Sequence, residues 1–183
     1  DLLFYRKEWK RAEELYREAL VKQKETLGDW DPRYALTLSN LGSLLRMSRR
    51  AVDAVPMCEK VVVIREREFG VDHQSVVAAR IRLALALAGA QKWSDALREM
   101  RRVLESNEIL LSSTALVASR EQLFRALRQE RAALNIFISV ALKSPDDSTA
   151  RIVYETMLRR KGLAAEALAA RRLPYLAEDR QDQ

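Results

Sequence analysis

The chain has 183 residues, 48% hydrophobic and 32% charged, with five Gly and four Pro. That length suits one compact domain or one repeat array, and the dominance of Ala, Leu, Arg and Glu, all strong helix formers, predicts an all-α fold. The longest apolar stretch, Leu83 to Ala90, is far short of the ~20 residues that cross a bilayer. No charged-then-apolar leader opens the sequence, and the single Cys58 precludes an internal disulfide, so the reading is a cytoplasmic protein with no membrane partner. The net charge of +6 comes from Arg scattered through nearly every segment, including Arg49-Arg50, Arg101-Arg102, Arg159-Arg160 and Arg171-Arg172. No basic run reaches five residues and aromatics are sparse, which favours solvated helix faces over a nucleic-acid interface.

In chain order, Leu2 and Leu3 fall in register with Leu44 and Leu45, so they read as the last turn of a helix that begins before this sequence. A second helix follows through "EWKRAEELYREAL". Asp31 and Pro32 are helix-start chemistry, since Pro is accepted in a first turn where its missing N–H has no partner anyway. Leu38, Leu41 and Leu45 then place an apolar stripe on one helix face. Gly42 interrupts that stripe; a mid-helix Gly costs ~1 kcal/mol against Ala, so it points to close approach of the partner helix. The next helix runs from near Arg50 to Phe69, with Gly70 as a left-handed stop and Ala54 as the small residue where the pair crosses. Pro56 requires that helix to start late, near Val52 or Asp53.

These segments repeat. "EWKRAEELYREALVKQKETLGDWDPRYALTLSNLGSLL" overlays "RAVDAVPMCEKVVVIREREFGVDHQSVVAARIRLALAL", with Gly28 on Gly70, Ala12 on Ala54, Leu15 on Met57, Asp31 on His73 and Leu41 on Leu83, each 42 residues apart. A further step carries Ala54 to Ala96, Val61 to Val103 and Val62 to Leu104, and Trp9 recurs as Trp93 two steps on. A register kept over three units is a repeat. Beyond Glu105 the spacing changes: Ala133 lies 37 residues after Ala96, and Ala167 lies 34 after Ala133. There "SSTALVASREQLFRAL" is expected to pair with "RAALNIFISVAL". "DDSTARIVYETMLRR" is expected to pair with "LAAEALAARRL", with Ser144-Pro145 as the break and Gly162 as the turn.

The elements "LGDWDPRYALTLSNLGSLL" and "FGVDHQSVVAARIRLALAL" resemble the long tetratricopeptide units of kinesin light chains. The resemblance implies an all-α, TPR-like α-solenoid of about four to five antiparallel helix pairs forming a right-handed superhelix. It divides the chain into kinesin-light-chain-like repeats over 1–106, irregular helical pairs over 107–173 and a polar tail over 174–183. The stretch from Ser112 onward carries Pro145-Asp146-Asp147, Ala150-Arg151, Leu158-Arg159-Arg160-Lys161-Gly162 and Glu178-Asp179-Arg180 in that order. It resembles the segment joining such repeats to a C-terminal CHAT domain, a caspase-like cysteine protease fold, in bacterial proteins. That resemblance implies the regulatory or substrate-presenting arm of a CHAT protease system, with the CHAT domain or its substrate as partner.

No catalytic constellation is assembled by the residues themselves. A cysteine protease needs a thiolate beside an imidazole, and the candidates are Cys58 and His73 alone. Cys58 takes the register of Tyr16 on an apolar face and reads as a small buried hydrophobe. His73 takes the register of Asp31 and reads as a cap or packing residue. One His and one Cys make no metal site, and no Gly-rich phosphate loop is present. The chain is therefore read as a non-catalytic protein–protein interaction scaffold with no cofactor and no metal, a nucleic-acid-binding helical repeat being the least favoured alternative.

The residues that would hold a partner face the groove of the array: Ser39, Asn40, Ser43 and Arg46 in one unit, Arg82 and Leu85 with Ala78 and Ile81 in the next. An Asn amide bridges the N–H and C=O of an extended peptide, and Arg clamps a carboxylate with two donors. Asn40 resembles the Asn of kinesin-light-chain and carboxylate-clamp repeats, and Arg82 the Arg of the latter. Their Lys position is Ala78 here, so the alternative function is a stand-alone adaptor for an acidic or extended peptide rather than for a free C-terminus. Trp9 and Trp93 read as packing residues.

Overall fold

In a computed structural model of the chain, residues 2–115, 120–144 and 148–169 are described. They form seven α-helices: α1 (Leu2–Leu27), α2 (Pro32–Met47), α3 (Ala51–Phe69), α4 (Gln74–Gly89), α5 (Trp93–Ala115), α6 (Arg120–Ala141) and α7 (Ser148–Ala169). The chain divides into two compact units, Asp1–Arg102 and Val103–Gln183.

In the first unit the helix ends repeat as faithfully as the apolar stripe. Asp31 opens α2 by accepting the Arg33 N–H at 2.8 Å, with Pro32 in the first helical position. His73, 42 residues on, opens α4 in the same way, its Nδ1 accepting the Ser75 N–H at 3.1 Å. α2 closes with the Arg50 N–H on the Leu45 carbonyl (2.8 Å) and the Arg49 N–H on that of Arg46 (3.1 Å). α4 closes identically, with Lys92 on Leu87 (2.9 Å) and Gln91 on Ala88 (3.0 Å). This double closure puts Arg49 and Gln91 both at φ 61°, in the left-handed region usually kept for Gly or Asn. Between pairs, Gly28 (φ 83°) and Gly70 (φ 84°) donate to the carbonyls of Lys24 and Glu66. Gly70 has a ψ of 162°, so its backbone is extended rather than left-handed helical, a conformation still reserved for Gly because of its φ.

α2 packs on α1 and α3, α3 packs on α4, and α2 also touches α4. The core is aliphatic: Ala35, Leu41, Leu45, Ala54, Ile64, Val76, Ala84 and Ala96 are essentially fully buried. The crossing of α2 and α3 is set by Gly42. A Cβ there would meet Cys58 Sγ at 3.1 Å, Met57 Cβ at 3.5 Å and the Ala54 carbonyl oxygen at 3.7 Å.

Four local expectations are corrected. Residues 2–8 continue α1, because Arg6, Lys7 and Glu8 stand where Ser48, Arg49 and Arg50 make the turn and are all good helix formers. α3 starts at Ala51, so Pro56 sits inside it and not near its beginning; Pro56 and Val52 are both exposed, which leaves the Val52 carbonyl, deprived of its helical donor, on the solvated side. The segment 120–141, expected to hold a helix break near Arg131, is the single helix α6. Gly162 lies inside α7 with no atom within 4 Å of where its Cβ would be, and helix formers on both sides carry the helix through it. Pro145-Asp146-Asp147, Glu178-Asp179-Arg180 and the tail 174–183 lie outside the described residues.

In the second unit α6 packs on α7. Val103, Leu104 and Leu111 of α5 and Ala133, Phe137, Val140 and Ala141 of α6 are buried. Arg159 donates to Glu108 at 2.9 Å, and Arg160 lies 3.1 Å from Glu130 and 3.6 Å from Glu108. Burial pushes the Glu130 carboxyl above its ordinary range, opposed by the nearby Arg160 guanidinium.

Polar burial also marks the first unit. Arg80 of α4 donates to Glu66 of α3 and, at 2.5 Å, to Glu99 of α5; Arg102 adds a 3.1 Å bond to Glu99. Arg80 and Glu99 are 8% and 6% exposed, so this cluster is core. Breaking a buried pair strands a charge and costs about 3–5 kcal/mol, whereas replacing both partners by apolar groups is close to neutral. Arg80→Met alone is therefore expected to lower the urea midpoint sharply, while Arg80→Leu with Glu99→Met restores it. Equal losses in the single and double variants would contradict this.

Candidate functional site

The expected groove residues lie on α2 and α4, helices that touch. On α2, Ser39 and Ser43 are half-buried, while Asn40 and Arg46 are exposed. The Ser43 hydroxyl donates to the Ser39 carbonyl at 2.9 Å, which ties it to its own helix. On α4, Arg82 is exposed, and Leu85, Ala78 and Ile81 are half-buried.

In this unit Arg17, Arg33, Arg50, Arg65, Arg80, Arg98 and Arg102 all form ion pairs. Arg46 and Arg82, like Arg11, Arg49, Arg67 and Arg101 of the same unit, form no ion pair among the described residues. The Arg46 and Arg82 guanidiniums act on one buried point. Burial pushes the Cys58 thiol up to about 11, and the fields of Arg82 and Arg46 oppose that rise. Two guanidiniums without a carboxylate partner, on the touching helices α2 and α4, thus both lie toward Cys58. The arrangement offers fork-shaped donors to a carboxylate and an amide to a peptide backbone.

The two residues with nucleophile and base chemistry serve packing and capping. Cys58 is 5% exposed and packs where Gly42 leaves room. His73 caps α4 and stacks on Phe69 with ring centroids 4.4 Å apart. Trp9 and Trp93 are half-buried. Among the described residues no group of three or more His, Cys, Asp or Glu is gathered to hold a metal, and no helix is long and apolar enough to cross a membrane.

The comparisons with known proteins bear on the fold. Two family models match, both of the tetratricopeptide repeat, over residues 1–32 and 33–108. The first 108 residues are tetratricopeptide repeats. The chain is similar to the crystal structure of nearly identical TPR-like repeats from a candidate kinesin light chain of Podosopora anserina. That similarity has a TM-score of 0.50 at 18% identity and covers 92% of this chain and 88% of that one. A point variant of the same protein matches with a TM-score of 0.50 at 16% identity, over 96% and 91% of the two chains. At such identities the likeness speaks to the fold, which is all-α and tetratricopeptide-like. No curated protein sequence matches the chain. Tetratricopeptide arrays are scaffolds for protein–protein interaction, and that is the coarse function of this one.

Sequence reasoning missed several residues that shape this unit. The buried Arg80 was visible in principle as a charge at the register of Leu38, answered by Glu99 at the register of Met57. Trp30, with Lys60 Nζ 3.8 Å and the Arg67 guanidinium 4.8 Å from its ring centroid, has Asp72 at its register and left no periodic signal. In the second unit, the Leu158-Arg159-Arg160-Lys161-Gly162 element is helical, and its two arginines engage Glu108 and Glu130.

The thiol gives a direct check on the packing. With Cys58 at about 11, the thiolate is about one part in a thousand at pH 8, against roughly a quarter for an ordinary thiol. Alkylation at pH 8 in native buffer is expected to be slower than in denaturant by about two orders of magnitude. Because the folded value lies above the unfolded one, the neutral thiol's contribution to stability holds below about pH 8.5 and fades as pH rises toward 11. A thiol as reactive folded as unfolded would contradict the buried placement.

Proposed function

We propose that the array holds an extended, acidic peptide segment against the α2–α4 face, with Arg46 and Arg82 taking its carboxylates and Asn40 its backbone. Support comes chiefly from two guanidiniums without an acidic partner on the touching helices α2 and α4, both close enough to Cys58 to act on its thiol. A surface Arg with a carboxylate neighbour already has its counter-charge; one without offers its full fork to an incoming group. Leu85, with Ile81, supplies half-buried apolar surface on α4 for the peptide's non-acidic side chains. Ser39 and Ser43 flank Asn40 and contribute shape, since the Ser43 hydroxyl is already bonded. Ala78 removes the ammonium that would single out a free C-terminal carboxylate, so internal acidic segments are the class of ligand.

A second, compatible reading concerns the wider protein. The order Pro145-Asp146-Asp147, Leu158–Gly162, Glu178-Asp179-Arg180 favours a regulatory or substrate-presenting arm of a bacterial CHAT protease system. Reading the gene beyond Gln183 tests it: a following α/β segment with a His and Cys pair supports the arm, and its absence removes the protease link.

The groove reading is tested with a fluorescent Glu-rich extended peptide at low salt. Each charge-assisted contact is worth about 1.5–3 kcal/mol. Arg46→Glu and Arg82→Glu are each expected to weaken capture by at least about tenfold, and the double variant to abolish it, with thermal melts unchanged. Unchanged capture by the double variant sinks the reading. Tighter binding of a single-stranded oligonucleotide than of the peptide would move the function to nucleic acid.

A further inference from the structure

A second site opens away from that face, where α1, α2 and α3 meet. There a cavity of about 650 Å³ is walled by Leu20 and Val21 of α1, Leu38 of α2 and Met57 of α3, with Tyr34 and Lys60 also on its lining. Val21 is 59% exposed, so the cavity is reached from solvent, while Leu38 is 4% exposed and forms part of its floor.

The void is not a by-product of stacking repeats. One repeat later, at the meeting of α3, α4 and α5, the positions in register with Leu38, Met57 and Lys24 are Arg80, Glu99 and Glu66. There Arg80 donates to both Glu66 and Glu99, and Arg80 and Glu99 are buried. The same backbone arrangement is therefore closed by a buried ion cluster at one junction and left as an open apolar hollow at the other. An apolar hollow open to water is unfavourable at about 25 cal/mol per Å² of surface, and its volume falls in the ~300–1,000 Å³ range of small-molecule sites.

The rim carries the polar specificity. Lys60 lines the cavity, lies 3.2 Å from Asp29 and sits 3.8 Å above the Trp30 ring, on which Arg67 also converges at 4.8 Å. Two cations meet one carboxylate there, so the rim has positive charge to spare. Held by the indole and by Asp29, the Lys60 ammonium is placed at the mouth without being fully used, since an ammonium has three donors. An apolar interior with a positioned ammonium at its edge is complementary to a molecule with a hydrocarbon body and an anionic head. We propose that this cavity is a binding site for a small anionic amphiphile, its chain against Leu20, Val21, Leu38 and Met57 and its acid group on Lys60.

The site lies on a different face of α2 from Asn40 and Arg46, so its test is separate from that of the peptide groove. The chain contains four methionines, of which Met57 alone lines the cavity. With methyl-labelled methionine, titration with decanoate below its micelle-forming concentration is expected to shift the Met57 methyl saturably and leave Met47 unmoved. Decanol, which has the chain without the charge, should bind about fivefold more weakly. Val21→Trp, at an exposed position that tolerates bulk, fills the mouth and should abolish the shift. Lys60→Met should leave decanol binding in place and remove the preference for decanoate. No saturable Met57 shift, a shift that survives Val21→Trp, or equal affinity for decanoate and decanol in the native chain would each overturn the proposal.

Discussion

The first unit depends on how closely α2 and α3 approach at Gly42. A hydrogen in place of a Cβ lets Cys58, Met57 and the Ala54 carbonyl come to contact distance. That approach decides which face of α2 turns inward: Leu38, Leu41 and Leu45 become core, and Asn40 and Arg46 are left outside. The next pair reaches the same crossing with different volumes. Ala84 stands at the register of Gly42 and Met100 at that of Cys58, both fully buried, with Ala96 repeating Ala54. The register thus preserves the spacing of helices while the side chains that fill it are exchanged.

Much of this was legible in the sequence because it rests on local chemistry repeated at a fixed interval. Asp31 and His73 both accept an N–H two residues on, and Gly28 and Gly70 both take a positive φ. The turns within pairs were not legible, because Arg49 and Gln91 have no intrinsic preference for the left-handed region. The backbone closure from Leu45 to Arg50 and from Leu87 to Lys92 imposes it on them. Pro56 and Gly162 misled for a common reason. Each is a breaker by propensity, yet each falls where its cost is small, on an exposed side of a helix held by its other turns. The candidate groove was legible as positions on helix faces. That Arg46 and Arg82 lack carboxylates was not, since pairing depends on which helices become neighbours.

The second unit is built on a different balance. Its described ion pairs between helices join Glu108 of α5, Glu130 of α6 and Arg159 and Arg160 of α7, and Arg160 is only 8% exposed. Large apolar side chains of α7 such as Tyr154 and Leu158 remain exposed. A helix held through a buried charge cluster gains specificity of register more than net stability, because desolvation offsets most of the attraction. The raised Glu130 carboxyl is the expression of that desolvation.

A repeat protein acquires function where the register is kept and the chemistry departs from it. Leu38 and Met57 line an open hollow, whereas Arg80 and Glu99, at the same register one repeat on, are joined in a buried ion pair. The repeated backbone carries two different sets of side chains at this junction, so neither set is a requirement of the repeat itself. Filling a junction with an ion cluster shows that this chain can close the hollow when closure is all that is needed. Leaving its counterpart apolar, open and edged by a held ammonium keeps exposed a surface that folding alone would favour burying.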